Sequence, residues 1–123
     1  MKVLLVQSYL GKYDPEGAVF PIGLCYIATA LKGHEVRIFD PNLSMAAFDE
    51  LKGILSSFKP DVVGISLRNI DTTQRRDLLY YFKDFQPTVR HIKNANPSIK
   101  VMVGGTGFSM FASKIMERVP EVD

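Results

Sequence analysis

The 123 residues are 46% hydrophobic and 23% charged, a composition typical of one globular domain with its own core. The formal net charge is only +2 and the 15 basic residues are scattered, which argues against nucleic acid or an anionic membrane as partner. No apolar run reaches the ~20 residues of a membrane span and Met1–Val6 is too short for a signal peptide, so we expect a cytoplasmic protein.

The first two predicted elements are a buried strand and an apolar helix. Lys2–Ser8 is short, β-branched and apolar, which is typical of a strand covered on both faces of a parallel sheet. A loop rich in glycine, proline and tyrosine spans residues 9–20, and Pro21 suits a helix start. Ile22–Lys32 is apolar nearly all round, so we expect a well-buried helix that ends at Gly33.

The next three predicted elements are the second strand, the second helix and the third strand. His34–Phe39 alternates as a strand, and Asp40 then forms a turn. Asp40 also resembles the ribose-binding acid of dinucleotide folds, but the glycine loop of those folds is missing. Apolar residues recur at helical spacing over 48–58, and Asp61–Ser66 is a third strand.

The carboxyl half continues the alternation. The segment 67–85 is longer than a usual strand-to-helix loop. Pro87 indicates the start of a third helix, in which Phe85, Val89 and Ile92 share one face and which ends near Asn96–Pro97. Ile99–Val103 is predicted as the fourth strand, Gly104–Ser109 as a loop and Met110–Val119 as the fourth helix.

This alternation predicts an α/β fold with a doubly wound, mainly parallel sheet of the flavodoxin-like, three-layer kind. The strand order 2-1-3-4-5 of such folds puts a ligand crevice at the carboxyl ends of strands one and three. A fifth strand would begin near Glu121–Asp123, so we expect residues 1–123 to be one domain of a longer protein.

Glycines directly after the fourth strand are the strongest local sign of a ligand site. Gly104, Gly105 and Gly107 let a ligand approach the backbone, and the next helix offers N–H groups to an anion. The alternative is that one or two of them only form a tight turn. The loop is not a dinucleotide-binding fingerprint, because it does not read G-x-G-x-x-G and follows the wrong strand.

The segment Ser66–Asp71 brings a hydroxyl, a guanidinium, an amide and a carboxylate to the same crevice, where polar groups orient ligands. The alternative is a surface pair between Arg68 and Asp71, which contributes roughly 0–1 kcal/mol.

Several chemistries are disfavoured by missing residues. Cys25 is the only cysteine, so this chain alone builds neither a disulfide nor a cysteine-rich metal site. His34 and His91 are predicted away from the crevice, which leaves no nucleophile and base pair for hydrolysis and no metal site. A receiver-like signalling module would need acids where Gln7, Ser8 and Ser66 stand.

Four segments together resemble the amino-terminal cobalamin-binding domain of cobalamin-dependent radical S-adenosylmethionine (SAM) proteins. They are Pro21–Ala28, Gly33–Val36, Ser66–Asp71 and Val103–Ser109, in that order. The resemblance implies a module that holds cobalamin on the strand carboxyl ends. It also implies a radical SAM catalytic domain in the same parent chain, which would bind S-adenosylmethionine and a 4Fe–4S iron–sulfur cluster and act as a methyltransferase or in related radical chemistry. The 123 residues alone would not be catalytic.

The resemblance also assigns the site. It implies that Ser66, Arg68 and Asn69 line it with Gly104, Gly105 and Gly107, that Phe108, Tyr9 and Tyr13 form its apolar wall, and that Leu67, Asp71 and Thr106 complete the candidate set. No histidine occurs before His34, so cobalamin would lack the protein histidine ligand of methionine-synthase-type domains. Two alternatives stay open: a structural domain that has lost the cofactor, and a receiver-like module.

Overall fold

Four parallel strands form the centre of the fold, in a computed structural model that describes residues 1–13, 15–16, 18–71 and 80–123. The strands are β1 (Lys2–Gln7), β2 (Glu35–Phe39), β3 (Val62–Ser66) and β4 (Lys100–Gly104). They pair in the order β2-β1-β3-β4 with every neighbour parallel. The predicted α/β class and the order of the first four strands are therefore confirmed.

Among the described residues, three of the four α-helices cover one face of this sheet. The helices are α1 (Ile22–Ala30), α2 (Ala47–Phe58), α3 (Phe82–Ala95) and α4 (Thr106–Arg118). Buried side chains of α2, α3 and α4 form one core with inward residues of all four strands: Leu51, Leu55, Phe58, Phe85, Val89, Ile92, Ile115 and Val119 pack with Leu4, Val6, Phe39, Val63, Ile65 and Val101. We call this side of the sheet the α2–α4 face. Right-handed crossovers from β2 to β3 and from β3 to β4 place α2 and α3 on one side, and α4 packs beside them.

The opposite side, which we call the α1 face, has a smaller core. Val3, Leu5 and Leu24 form it, and within the described part of the chain Leu24 is the only buried residue of α1. The expectation of a well-buried helix is therefore wrong. Ile22 and Tyr26 are 59% and 72% exposed because α1 touches the sheet through one side only.

Two helices begin earlier than their sequence signals suggest. Pro87 lies inside α3, which already starts at Phe82. The rings of Phe82 and Phe85 stack with their centroids 5.8 Å apart, and Phe85 is buried. This burial favours a helical turn before Pro87, although Pro87 has no backbone N–H to donate within the helix. In α4 a first turn from Thr106 precedes a kink at Phe111, close to the predicted start at Met110.

Asp123 ties the amino end of β4 to α3. Its backbone N–H donates to the Val101 carbonyl at 2.9 Å, and its carboxylate accepts from the Val101 N–H at 2.8 Å. The same carboxylate accepts from Lys93 Nζ at 2.6 Å and from Lys100 Nζ at 3.0 Å. The Lys93 hydrogen bond, followed by those of Val101 and Lys100, holds the pKa of Asp123 well below its usual range.

We expect Asp123→Asn to lower the free energy of unfolding at pH 7 by about 1 kcal/mol, since Lys93 and Val101 lose a charged acceptor while the exposed Lys100 contributes little. A carboxyl whose pKa is lowered on folding stabilises the fold above its unfolded pKa, and this contribution is lost as the pH falls. Urea unfolding at pH 7 and below pH 4 should therefore show a difference that shrinks in acid. Glu117→Gln, on the exposed surface of α4, is the control. A difference that is independent of pH would contradict this account.

Candidate functional site

The carboxyl ends of β1, β3 and β4 form one continuous edge. Gln7 is in register with Ser66, and Ser66 is in register with Gly104. Pairing continues past the strands, because Ser8 N–H donates to the Ser66 carbonyl at 3.0 Å and Leu67 N–H to the Gly104 carbonyl at 2.8 Å. Side chains alternate along a strand, so Gln7 and Ser66 lie on the α1 face with Val3 and Leu5.

The segment after β3 packs directly on the glycine turn after β4. Gly105 has a φ of +98°, and a Cβ there would lie 2.6 Å from the Leu67 carbonyl oxygen. A Cβ on Gly107 would lie 2.9 Å from that oxygen and 2.9 Å from the carbonyl carbon of Asn69. Both positions therefore require glycine because of their own protein neighbours, as the tight-turn alternative proposed.

The start of α4 is occupied by the same segment. Gly107 N–H donates to the Arg68 carbonyl at 2.8 Å, and Phe108 N–H lies 3.2 Å from the Leu67 carbonyl. These first-turn N–H groups have protein acceptors, so the expectation that they serve an anion is wrong for these two residues.

Gly104 differs from the other two glycines. It is exposed, and a Cβ built on it would meet no heavy atom within 4 Å. Ser66 lies beside it and is half-buried, while Arg68 and Asn69 are exposed. Thr106 is exposed at the first position of α4, whereas Leu67 is fully buried. The edge is thus open at Gly104 and Ser66, with polar groups of the β3 segment beside the opening.

The remaining candidates lie to the sides of this opening. The ring of Tyr9 packs edge-on against Phe48 of α2, with centroids 5.7 Å apart, and Tyr13 is exposed. Phe108 is half-buried against the core of the α2–α4 face. Asp71 is half-buried and pairs with Tyr80 through an isolated antiparallel bridge, and the segment beyond it, residues 72–79, lies outside the described residues.

Sequence reasoning missed Asn42, which connects the loops after β1 and β2. Its Oδ1 accepts from Leu10 N–H at 2.9 Å, and its Nδ2 donates to the Ser8 carbonyl at 3.0 Å and to Asp40 Oδ1 at 2.8 Å. Asp40 also accepts from Asn42 N–H at 3.0 Å, which confirms Asp40 as a turn former. The only signal for Asn42 was its place in this turn, which does not reveal that its side chain is buried.

Neither histidine lies at the opening. His34 Nδ1 is 3.4 Å from the amino-terminal nitrogen, at the opposite end of the sheet. The ring of His91 packs against Phe48 at 5.3 Å. Among the described residues no group of three or more His, Cys, Asp or Glu side chains could hold a metal ion. Within the same residues no helix combines the length and apolarity needed to cross a membrane.

We expect Gly105→Ala to lower the free energy of unfolding by about 3 kcal/mol, because alanine is strained at this φ and its methyl group would overlap the Leu67 carbonyl. Gly104→Ala is the matched control and should change stability by no more than about 0.5 kcal/mol. Urea unfolding of both variants measures the difference. Equal effects would show that the β3 segment does not pack on the glycine turn as described.

We expect Asn42→Ala to cost about 2 kcal/mol of folding stability, because it leaves the Leu10 N–H and the Ser8 carbonyl without their partner. Asn94→Ala, at an exposed position on α3, is the control. Hydrogen exchange of the Leu10 amide should accelerate in the first variant only. An unchanged exchange rate would contradict the role assigned to Asn42.

Comparison with known proteins relates this geometry to one family. A family model described as "B12 binding domain" matches residues 14–123. The uncharacterized methyltransferase PH0819 of Pyrococcus horikoshii is 28% identical over 132 aligned residues, which cover all of this chain and 26% of that protein.

Solved structures of the radical SAM methyltransferase TsrM from Kitasatospora setae have the same fold. The structure with cobalamin and a 4Fe–4S cluster bound superposes with a TM-score of 0.76 at 25% identity, covering 97% of this chain and 22% of that one. The structure with tryptophan and a SAM analogue has a TM-score of 0.83 at 24% identity and the same coverage. This chain thus spans about a quarter of the length of these relatives. Since the family model matches all but the first 13 residues, the chain belongs to the B12 binding domain family.

Proposed function

We propose that this domain binds cobalamin at the carboxyl edge of its sheet and serves as the cobalamin module of a radical SAM enzyme. The observation that carries the proposal is the opening at Gly104 and Ser66, on the edge where β1, β3 and β4 end together. In open parallel sheets ligands bind outside the carboxyl ends of the strands, next to the point where the strand order reverses. Here that point lies between β1 and β3.

The opening suits a large, flat cofactor. Gly104 leaves free space above the backbone, and a bulky side chain there would fill it. Ser66 supplies a hydroxyl beside this space, and Arg68 and Asn69 supply donors that can reach the polar groups of a ligand. Gly105 and Gly107 contribute indirectly, because they hold the β3 segment against the start of α4.

Apolar contacts are available from the loop after β1. Tyr13 is 49% exposed and Phe20 is 71% exposed, and both belong to the segment that leaves the carboxyl end of β1. Large exposed aromatic side chains at a ligand-binding edge bury apolar surface when the ligand arrives. Cobalamin, when bound, supplies a cobalt centre that carries methyl groups or electrons, and the chain's own contribution is to bind and orient it.

We propose that cobalamin is held without a histidine ligand from the protein. The chain has two histidines, and the structure places one at the amino end of the sheet and the other against Phe48. Both positions support the proposal, because neither side chain borders Gly104 or Ser66.

The proposed parent protein is longer than this domain. PH0819 is a methyltransferase by name, TsrM is a radical SAM methyltransferase with a 4Fe–4S cluster, and this chain spans only 26% and 22% of them. We therefore place S-adenosylmethionine, the cluster and the methyl transfer or related radical reaction in a catalytic domain elsewhere in the same polypeptide. We propose that this polypeptide works in the cytoplasm.

Equilibrium dialysis against hydroxocobalamin at tens of micromolar tests the binding step. We expect about one cobalamin per chain for the wild type and at least about ten-fold weaker binding for Gly104→Leu, a loss of about 1.4 kcal/mol. Gly53→Leu is the matched control, because Gly53 is also an exposed glycine with free space around it but lies on α2.

Circular dichroism and urea unfolding should show that all three proteins are folded. No binding by a folded wild type would favour a structural domain that has lost the cofactor. Equal binding by Gly104→Leu and the wild type would show that cobalamin binds somewhere other than this edge.

A further inference from the structure

The outer edge of β2 has no neighbouring strand in the part of the chain that the structure describes. Glu35 donates its N–H to the Met1 carbonyl at 3.0 Å, so the backbone groups of Glu35 and Arg37 point toward β1. Because these groups alternate along a strand, the N–H and carbonyl groups of Val36 and Ile38 point away from the sheet. An exposed strand edge of this kind is a template for pairing with another strand.

The side chains of β2 differ between the two faces of the sheet. Val36 and Ile38 lie on the α1 face with their β1 partners, and Ile38 is 40% exposed. Glu35 and Arg37 alternate with them and are exposed on the α2–α4 face. The edge of β2 thus offers apolar side chains on one face and two opposite charges on the other.

Arg37 is held in position by its own domain. Its guanidinium carbon lies 4.5 Å from the centroid of the Phe58 ring, where the ring face attracts a cation. A guanidinium fixed in this way loses little side-chain entropy when it binds a carboxylate, and it can bind both carboxylate oxygens. The Glu35 side chain is 55% exposed, and its Oε2 has only a loose ion pair with Lys2 Nζ, at 3.9 Å. Each copy therefore presents an oriented cation and an accessible anion on the same strand.

The charges of β2 are complementary to those of a second β2 about Val36. Two copies of the strand related by a two-fold axis perpendicular to the sheet run antiparallel. With the axis at Val36, each Glu35 lies opposite Arg37 of the second copy, and the two Val36 residues exchange both backbone hydrogen bonds. Moving the axis by one residue would set Glu35 opposite Glu35 or Arg37 opposite Arg37, and like charges directly opposite destabilise a strand pair.

We propose that two copies of this domain associate through the outer edges of their β2 strands, with the two-fold axis at Val36, and so join their sheets into one. The partner is a second copy because the edge matches itself in charge, in apolar side chains and in backbone groups. The paired segment is short, so the dimer belongs to the weak class of interfaces. Strand β2 lies at the opposite end of the sheet from β4, so a second copy there leaves the opening at Gly104 uncovered.

Sedimentation equilibrium of the 123-residue chain at low ionic strength tests the association. We expect a monomer–dimer equilibrium with a dissociation constant on the order of 100 µM, which weakens in about 0.5 M salt because the ion pairs are exposed. Arg37→Glu and Glu35→Arg should each weaken dimerisation by at least about ten-fold, because each variant sets two like-charge pairs across the axis. Lys114→Glu, which makes the same charge change at an exposed position on α4, is the matched control and should dimerise like the wild type.

An equal mixture of the two variants is the decisive sample. One copy then carries Arg at positions 35 and 37 and the other carries Glu at both, so the mixture should form a heterodimer about as tight as the wild-type dimer. Circular dichroism should show that each variant is folded, and Glu35→Arg keeps the contact between Arg37 and Phe58.

Three outcomes would overturn the proposal. They are a wild type that stays monomeric up to about 500 µM, a dimer that survives both charge reversals and therefore uses another surface, and a mixture that stays as monomeric as its components. The measurements are made without cobalamin. Failure here would therefore leave cobalamin binding untouched, and failure to bind cobalamin would leave the association result unaffected.

Discussion

The backbone of residues 67–69 lies against Gly105 and Gly107, and the shape of the carboxyl edge depends on this contact. The Leu67 carbonyl oxygen lies 2.6 Å from where a Cβ of Gly105 would be, and the Arg68 and Leu67 carbonyls accept from the N–H groups of Gly107 and Phe108 in the first turn of α4. Two loops that are 38 residues apart in sequence are thereby fixed to each other. Just ahead of this contact Gly104 is exposed with free space around it and the half-buried Ser66 lies beside it, and the proposed cofactor site is there.

Much of the fold could be predicted from the sequence because its signals are local. Apolar runs predicted β1, β3 and β4, alternation over residues 34–39 predicted β2, and helical spacing of apolar residues predicted α2. Prediction was less successful where tertiary contacts determine where a helix begins or which neighbour a glycine meets. Pro87 is a helix-start signal, yet the burial of Phe85 adds a turn before it. The glycine turn was recognised as special, but the sequence could not say that Gly105 and Gly107 serve neighbouring backbone while Gly104 borders free space.

Helix α1 shows most clearly that an apolar sequence pattern does not by itself determine how much of a helix is buried. An apolar helix predicts burial, and in this structure Leu24 alone meets that expectation among the described residues of α1. The mismatch follows from topology, because right-handed crossovers place α2 and α3 on one face, α4 packs beside them, and α1 alone of these helices lies on the other face. The hydrophobic surface that the sequence encodes therefore exceeds what these 123 residues bury. Apolar residues that a domain leaves exposed indicate where it contacts another molecule or another part of the protein.

We propose above all that cobalamin lies over the opening at Gly104 and Ser66. A crystal structure of the domain grown with hydroxocobalamin tests it most directly. We expect the cofactor to lie at the carboxyl edge and to contact Ser66 and the Gly104 backbone from the α1 face, with no histidine of this chain bound to the cobalt. Cobalamin density elsewhere on the surface, or cobalt ligated by His34 or His91, would contradict it.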